Sequence, residues 1–551
     1  MRVGVGLLAG AVFLAAGAYP GDAAEGGVPI REVKLTGDSA VLAREGLLDD
    51  FRDSLAGRTL TPAEIQDQAK QLRDRLRERG YLLASVRTPP ADYASGIVPI
   101  DIDAGRFGKL AFTGPGGTPF EGRWFSADQL KYRFSGLAEG EPFQESVFYQ
   151  HVMGVNTHPD LVVDPALSVR REVEDGRAVR YADLSCAVTE SFPLHAILTV
   201  DNDGVEASGE WQATALIQYL NLTRHDDILS VWLGPVSEDD GSSQSAAAGY
   251  LRPRLSGKGG ATLLYGGYSD VESEEVADLF TLQGKGWFAG VREDWRLVSG
   301  PAREVVFSAG VAWREQEETL DAADAGVEGD TRTVSVLPLS VGVRVAPFRY
   351  DGLGGRTFFE AEAVCGPGDL TGSEDDIEEF RPGAESTYLV GRLKAARLQP
   401  LASQARDRAG EAWLLFGRVE AQVANGALLG AEQLALGGRE TVRGFPERIM
   451  MGDQGGDATL EVRSPLARIG GKSHLQGVLF ADAGHAIPEG DGDLDSVTMA
   501  GAGAGFRLAL GAHAQFLADY GLAVAGSDDV EEQTGLEVDS GRLHVCATVQ
   551  F

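Results

Sequence analysis

The chain has 551 residues, more than one ordinary domain, and its 43% hydrophobic and 24% charged content is that of a folded protein rather than a disordered one. A formal net charge of −33 argues against a nucleic-acid binder, because phosphates would be repelled. Three cysteines, Cys186, Cys365 and Cys546, lie far apart with no metal or redox spacing and read as incidental buried thiols, and the eight histidines are scattered without a ligand cluster.

Met1 and Arg2 precede an apolar run from Val3 to Ala18, the pattern of a secretory signal peptide, here residues 1–24. Ala16-Gly17-Ala18 fits a cleavage site, and Ala23 or Ala24 serves equally. The run is short for an N-terminal membrane anchor, the alternative. No later stretch is apolar enough for a membrane helix, so the chain is exported and is not a helical membrane protein. Crossing an outer membrane as strands stays open, since hydropathy does not register strands.

Residues 25–104 and 105–190 read as two small α+β domains. In the first, Arg31 to Thr36 predicts a strand ending at Gly37, and a helix follows through Leu42, Leu47, Leu48, Phe51 and Leu55 to Gly57. The next helix has Thr61 as its cap, Pro62 at its first position and Glu64 completing a capping box. Ile65, Ala69, Leu72 and Leu76 form its apolar stripe, and Gly80 ends it. Strands are predicted at Tyr81 to Thr88 and Ile97 to Ile102. The order then repeats: a strand from Lys109 to Gly114, a helix capped by Ser126, a helix from Gln144 to Gly154, and strands at Leu167 to Arg171 and Tyr181 to Val188. Repetition of one supersecondary unit implies tandem domains.

From about residue 191 the helical stripes stop and alternating strands run to the end, among them Ala213 to Leu220, Ile228 to Leu233, Ala261 to Tyr268, Val305 to Trp313, Trp413 to Val423 and Ser496 to Leu510. Acidic, Gly-rich connections separate some of them: Ser237 to Ser245, Leu320 to Asp330 and Asp369 to Glu379. About sixteen strands of roughly 10 residues suit a transmembrane antiparallel β-barrel over residues 191–551, which must close because lipid tolerates no bare edge. A soluble sandwich or propeller is the alternative. At the C-terminus, Leu543, Val545, Ala547, Val549 and Phe551 alternate with polar or small residues, as lipid-facing and lumen-facing positions do.

One stretch stands apart: Leu436 to Phe445, running on to Gly452 and Asp453. It sets Arg443 on a sharp Gly-aromatic turn, Val442-Arg443-Gly444-Phe445, and Phe480-Ala481-Asp482-Ala483-Gly484 follows on a strand. An Arg on a loop and an Asp on a nearby strand can form a bidentate pair that pins the loop; the alternative is that the two never meet. Asp201 to Gly204 reads as a turn rather than a calcium loop, because a carboxylate near the twelfth position is missing. No Ser/His/Asp set, G-x-S-x-G elbow or metal spacing occurs, and Gly257 to Gly260 lacks the rest of a phosphate-binding loop. No catalytic residue, metal or cofactor is expected, and the chain does not read as an enzyme.

The two small units resemble polypeptide-transport-associated (POTRA) domains, with Asn156 to Val163 as the helix-to-strand passage. Signal peptide, two such units and a barrel of about sixteen strands together resemble the outer-membrane transporters of two-partner secretion, the hemolysin secretion/activation type. Val200 to Gly204, Gly209, Asn221 and Asp226 to Leu229 look like that family's opening hairpin. Val442, Arg443, Gly444 and Phe445 match the tip of its inward-folded loop, between strands eleven and twelve, and Phe480, Asp482 and Gly484 match its inner-wall motif. The resemblance implies that Asp482 holds Arg443 inside the barrel and that Phe551 belongs to the signal for insertion by the barrel-assembly machinery. It also implies POTRA domains in the periplasm, a barrel in outer-membrane lipid and a secreted, β-helical partner polypeptide; the alternative is an assembly factor that inserts other barrels. Some members carry a plug helix ahead of the first POTRA domain, and none is expected here.

Overall fold

The computed structural model describes residues 27–551 apart from 44–45, 92–94, 157, 175, 206–208, 239–240, 254–258, 277–279, 300–301, 323–329, 369, 371–373, 402–409 and 491–494. The signal-peptide expectation, and most of the stretch in which a plug helix would lie, fall outside the described residues. The chain divides into two compact units, residues 1–191 and 192–551.

In the first unit, Ile97–Asp103 is the centre of a three-stranded sheet, parallel to Glu32–Gly37 and antiparallel to Ser85–Arg87. The helix Pro62–Glu78 starts as its sequence predicts: the Thr61 side chain accepts from the Glu64 N–H, and the Glu64 carboxylate accepts from the Thr61 N–H at 2.7 Å. It buries Ile65, Ala69, Leu72 and Leu76, and Ile65, Leu72 and Leu76 share one core with Ile100 and Ile102. Two expectations change. The helix predicted from Leu42 to Leu55 is split into Ser39–Leu42 and Leu47–Leu55, with Gly46 in the left-handed region between them. The strand predicted from Tyr81 is only Ser85–Arg87, because Tyr81 to Ala84 form a turn that closes on the core (Ala84 N–H to the Tyr81 carbonyl, 2.8 Å).

The repeat follows the same plan. Arg106–Thr113 runs parallel to Arg177–Glu190, which pairs antiparallel with Leu161–Glu174. The helices Ala127–Arg133, with a Ser126–Gln129 capping box, and Glu145–Val155 cover one face. Both hairpin strands exceed their predicted spans, at 14 residues each: toward the turn the ladder runs on into polar residues, and at the other end it takes in Leu161 to Ala166, paired with Glu190 to Ser185. The Asn156 carboxamide bridges helix to strand, donating to the Val163 carbonyl (2.9 Å) and accepting its N–H (2.7 Å).

The second unit is a closed antiparallel barrel. Its strands are β1 (Leu194–Asp201), β2 (Gln212–Leu220), β3 (Ile228–Glu238), β4 (Gly241–Pro253), β5 (Gly260–Val276), β6 (Phe280–Ser299), β7 (Arg303–Ala322), β8 (Asp330–Val336 with Leu339–Pro347), β9 (Arg356–Pro367), β10 (Thr387–Pro400), β11 (Leu414–Ala424), β12 (Gln454–Arg463 with Ala467–Gly470), β13 (Ser473–Ile487), β14 (Val497–Leu510), β15 (Ala514–Ala525) and β16 (Gly541–Gln550). Two are interrupted, each half pairing with the same neighbour, so the described residues make sixteen staves. Strands β6 and β7 reach 20 residues each, twice the predicted length. Pairing continues where apolar alternation has ended, so Ser237 to Ser245, predicted as a loop, is mostly strand. The connection predicted from Asp369 contains a helix, Glu374–Phe380. In the predicted connection from Leu320 to Asp330, the two ends are strand and residues 323–329 lie outside the described ones.

The seam where β16 meets β1 is short: five paired positions, from Cys546↔Asp201 to Gln550↔Ile197. Beyond it Asn202 extends the contact, its carboxamide donating to the Leu543 carbonyl (2.7 Å) and accepting the Val545 N–H (2.7 Å).

Strand β13 shows why the barrel is built as it is. Val478, Phe480, Asp482 and Ala486 are buried, while Leu479 between them is 61% exposed. With a period of two, Leu479, Ala481 and Ala483 face outward, and the buried side takes Asp482 together with Val478, Phe480, Gly484 and Ala486.

Candidate functional site: a strap held inside the barrel

Residues 425–453 join β11 to β12 and fold into the barrel. Leu434–Leu436 and Met450–Gly452 pair as a short ribbon. Leu436, Val442 and Phe445 are fully buried in a cluster with Ala486 of β13, Val497 and Met499 of β14, and Val530 and Val538 of the β15–β16 connection. The strap thus carries its own apolar core into the lumen. Gly437, Gly438 and Gly444 have φ of 104°, 89° and 105°, backbone that residues with a Cβ rarely adopt, and this is what folds the tip sharply enough to present Arg443 to the wall.

Arg443 and Asp482 meet. The guanidinium donates Nε to Asp482 Oδ2 (2.8 Å) and Nη2 to Oδ1 (2.9 Å), and the Arg443 N–H donates to Oδ2 (3.2 Å). Nη1 reaches two further carboxylates, Glu461 of β12 (2.8 Å) and Asp519 of β15 (3.1 Å). The guanidinium lies over the Phe480 ring, 3.5 Å from its centroid. Phe480, Asp482 and Gly484 therefore serve one contact: ring, carboxylate, and a position without a Cβ, where an added one would come within 2.9 Å of Val442 Cγ2.

Burying an arginine among three carboxylates would be costly if the charges did not balance. They balance because Arg507 of β14 donates Nη2 to Asp519 (2.8 Å) and Arg463 of β12 donates Nε to Glu461 (2.7 Å). Three guanidiniums thus face three carboxylates. Asp482 alone has no second arginine among the described residues.

Sequence reasoning singled out two partners of this network and missed the rest. Glu461, Arg463, Arg507 and Asp519 are lumen-facing positions of alternating strands, and nothing in their spacing distinguishes them from other inward polar residues. The wall beneath the tip was missed too: an added Cβ on Gly501 would fall on the Arg443 carbonyl, and one on Gly521 would come within 2.5 Å of the Gly444 nitrogen. A run of small residues on facing strands, Gly501, Gly503 and Gly521, was the available signal.

The base of the strap is held separately. Asp453, fully buried, accepts a bidentate pair from Arg381 (2.6 and 2.7 Å) and the N–H groups of Leu428 (2.8 Å) and Glu489 (2.7 Å). Glu432, also buried, pairs with Arg392 (2.6 Å) and with Arg314. At the chain end, Phe551 exchanges backbone hydrogen bonds with Ala196 of β1, and the residue is 73% exposed.

Comparison with known proteins places this geometry. The model of the haemolysin secretion/activation protein family ShlB/FhaC/HecB matches residues 181–508, more than half of the chain. The chain belongs to this family. A ShlB-type POTRA domain model matches residues 28–105. The outer membrane transporter CdiB of Escherichia coli is 24% identical over 453 residues, which cover 79% of this chain and 68% of that one. The solved structure of CdiB from Escherichia coli superposes with a TM-score of 0.71 at 19% identity, covering 98% of this chain and 93% of that one. CdiB from Acinetobacter baumannii gives 0.64 at 16%, with coverages of 95% and 90%. A more distant barrel, BamA from Haemophilus ducreyi lacking POTRA domains 1–3, gives 0.52 at 13%, with coverages of 95% and 100%.

The protein is an outer-membrane transporter of the two-partner secretion type, with its POTRA domains in the periplasm. Among the described residues no helix is long and apolar enough to cross a membrane, and the transporter crosses with strands. Its family is a transporter family, and membership implies a secreted partner. The connection from β11 to β12 follows an odd-numbered strand, so the strap starts from the same rim as the connections that follow β1, β9, β13 and β15.

Proposed function

We propose that the transporter exports a large β-helical partner polypeptide through the barrel, with the strap as the movable element of the pore. Two domains, residues 25–104 and 105–190, receive the partner unfolded in the periplasm by adding one of its strands to a sheet edge. Leu161–Glu174 is such an edge, and Val162, Leu167, Val169 and Val173 are exposed along it. The partner then passes through the barrel, residues 191–551, and its folding outside supplies the pull, since nothing in the outer membrane hydrolyses nucleotide.

The observation that carries this reading is the strap itself: a loop drawn into a closed barrel and fastened by a buried, charge-balanced network on Arg443. Val442 and Phe445 seat the tip in apolar contacts, Gly444 allows the turn, and Phe480, Asp482 and Gly484 are its socket. Phe551, on the outer surface at the seam, acts in insertion by the barrel-assembly machinery.

Deleting residues 28–190 while keeping the barrel tests the assignment. The expected result is a barrel that still inserts, seen as heat-modifiable migration on gels, and no partner outside the cell. Continued secretion would overturn it. Loss of many unrelated outer-membrane barrels on removal of the gene, with secretion of one partner unaffected, would favour a role in barrel assembly instead.

A further inference from the structure

Three residues outside the Arg443 network come together beside the seam: Asp203, just past the end of β1; Glu447, on the strap; and His544, on β16. Their potential ligand atoms lie within 4.8 Å of one another, the one such group among the described residues. His544 is fully buried, and its Nδ1 has no hydrogen-bond partner; Asp203 Oδ1 is likewise buried and unpartnered. Orphaned polar atoms of this kind are rare in folded proteins and call for an explanation.

We propose that these residues form a binding site for a divalent transition-metal ion of the zinc type. His544 Nδ1 stands 3.4 Å from Glu447 Oε1. That is long for a nitrogen–oxygen hydrogen bond, but it is the edge of a tetrahedron whose bonds to the metal are about 2.0–2.1 Å. Asp203, whose ligand atom lies within 4.8 Å of those of the other two, supplies the third ligand once the group draws together around the ion, and a fourth position is left for water. An imidazole with two carboxylates selects zinc-like ions over magnesium or calcium, which prefer all-oxygen shells.

The charge balance agrees. Arg439 donates Nε to Asp203 Oδ2 (2.6 Å) and its N–H to Glu447 Oε1 (2.6 Å), and Nη1 pairs with Glu440 (2.9 Å). Glu440 is exposed to solvent, so the shielded carboxylates around this one guanidinium are Asp203, Glu447 and the buried Asp201, and a dication offsets their excess negative charge. Metal on Nδ1 puts the imidazole proton on Nε2, which in the metal-free site accepts from the Gly444 N–H at 3.4 Å. That contact is at the limit of a hydrogen bond and is the one lost on binding. The ion would join three parts of the barrel that no strand pairing joins here: the end of β1, the strap, and the stretch of β16 beyond its last pairing with β1.

The test is a titration of the untagged full chain in detergent, stripped with chelator and exchanged into metal-free buffer. Zn²⁺ is followed by calorimetry and Co²⁺ by its visible absorption, which reports a four-coordinate site. The expected result is one saturable site, lost in H544A and in E447Q, and kept in H485A, a control on β13. Heat-modifiable migration confirms that each variant is folded, and E447Q lies on the strap, outside the strand ladder. Absence of saturable binding in the unaltered chain, or binding unchanged in both H544A and E447Q, would overturn the proposal.

Discussion

The two units of this chain bury opposite things. In the N-terminal unit the interior is apolar: Ile65, Leu72, Leu76, Ile100 and Ile102 in the first domain, Phe125, Phe134 and Leu184 in the second. In the barrel, Leu479, Leu522 and Leu543 are exposed, while Asp453, Asp482, Asp519, Glu461 and Arg443 are buried. The chemistry is the same in both, but the solvent is not. Water drives apolar groups inward in the first unit. Lipid takes them on the outside of the second, leaving polar groups inside to find partners among themselves. The stability of the first therefore rests on volume and fit, and that of the strap region on charge balance added to its apolar cluster.

That contrast is broken most directly at Arg443. In Arg443→Ala, Asp482 loses its arginine, and the cost expected for breaking a buried pair is about 3–5 kcal/mol. Asp482→Asn leaves Arg443 with Glu461 and Asp519, and the effect should be smaller. Protease cleavage within residues 425–453 of the folded barrel, and secretion of the partner, are the readouts. Equal behaviour of the two variants would count against the unpaired Asp482 carboxylate as the source of the larger cost.

Leu72→Ala in the first domain should cost about 2–5 kcal/mol, as large-to-small changes in close-packed cores do. Leu479→Ala, on the lipid side of β13, should leave the barrel nearly unchanged. Limited proteolysis followed by heat-modifiability separates the two: the first exposes the N-terminal unit, and the second exposes nothing. Gly521→Val sharpens the point on the barrel side. The wall under the strap tip has no room for it, and overpacking costs about 1–3 kcal/mol. Loosening of the strap with an intact barrel is expected, read by the same cleavage assay. Thr61→Ala removes the cap of Pro62–Glu78 at about 1 kcal/mol, a small shift in the thermal melt of the first unit alone.

The smallest effect concerns Cys186, whose thiol is pushed up to about 12 by burial. A raised thiol pKa stabilises the folded domain at pH values below the ordinary thiol value of about 8.5, and that contribution is lost as pH rises toward 12. Alkylation at pH 8 should therefore be slow in the folded chain and fast after denaturation; rapid labelling of the native protein would contradict the burial.

Much of this was legible in the residues. The capping box at Thr61 and Glu64, the stripe Ile65–Ala69–Leu72–Leu76, and the alternation of Leu543 to Phe551 are local patterns with local causes. The pairing of Arg443 with Asp482 was legible as a motif, although 39 residues separate them. What failed was length and company. The predicted strands were too short wherever pairing ran past the apolar alternation, as in β6 and β7, because a ladder is held by a neighbour and not by its own composition. Glu461, Arg463, Arg507 and Asp519 were invisible because any inward polar residue of a barrel looks alike until its facing strand is known.

Sequence alone therefore settled the class of each half of the chain, since period and composition respond to solvent residue by residue. Tertiary structure alone decided which charges meet. A buried guanidinium needs carboxylates within about 3 Å on several sides, and β12, β13 and β15 supply them only once the barrel has closed and set those strands side by side.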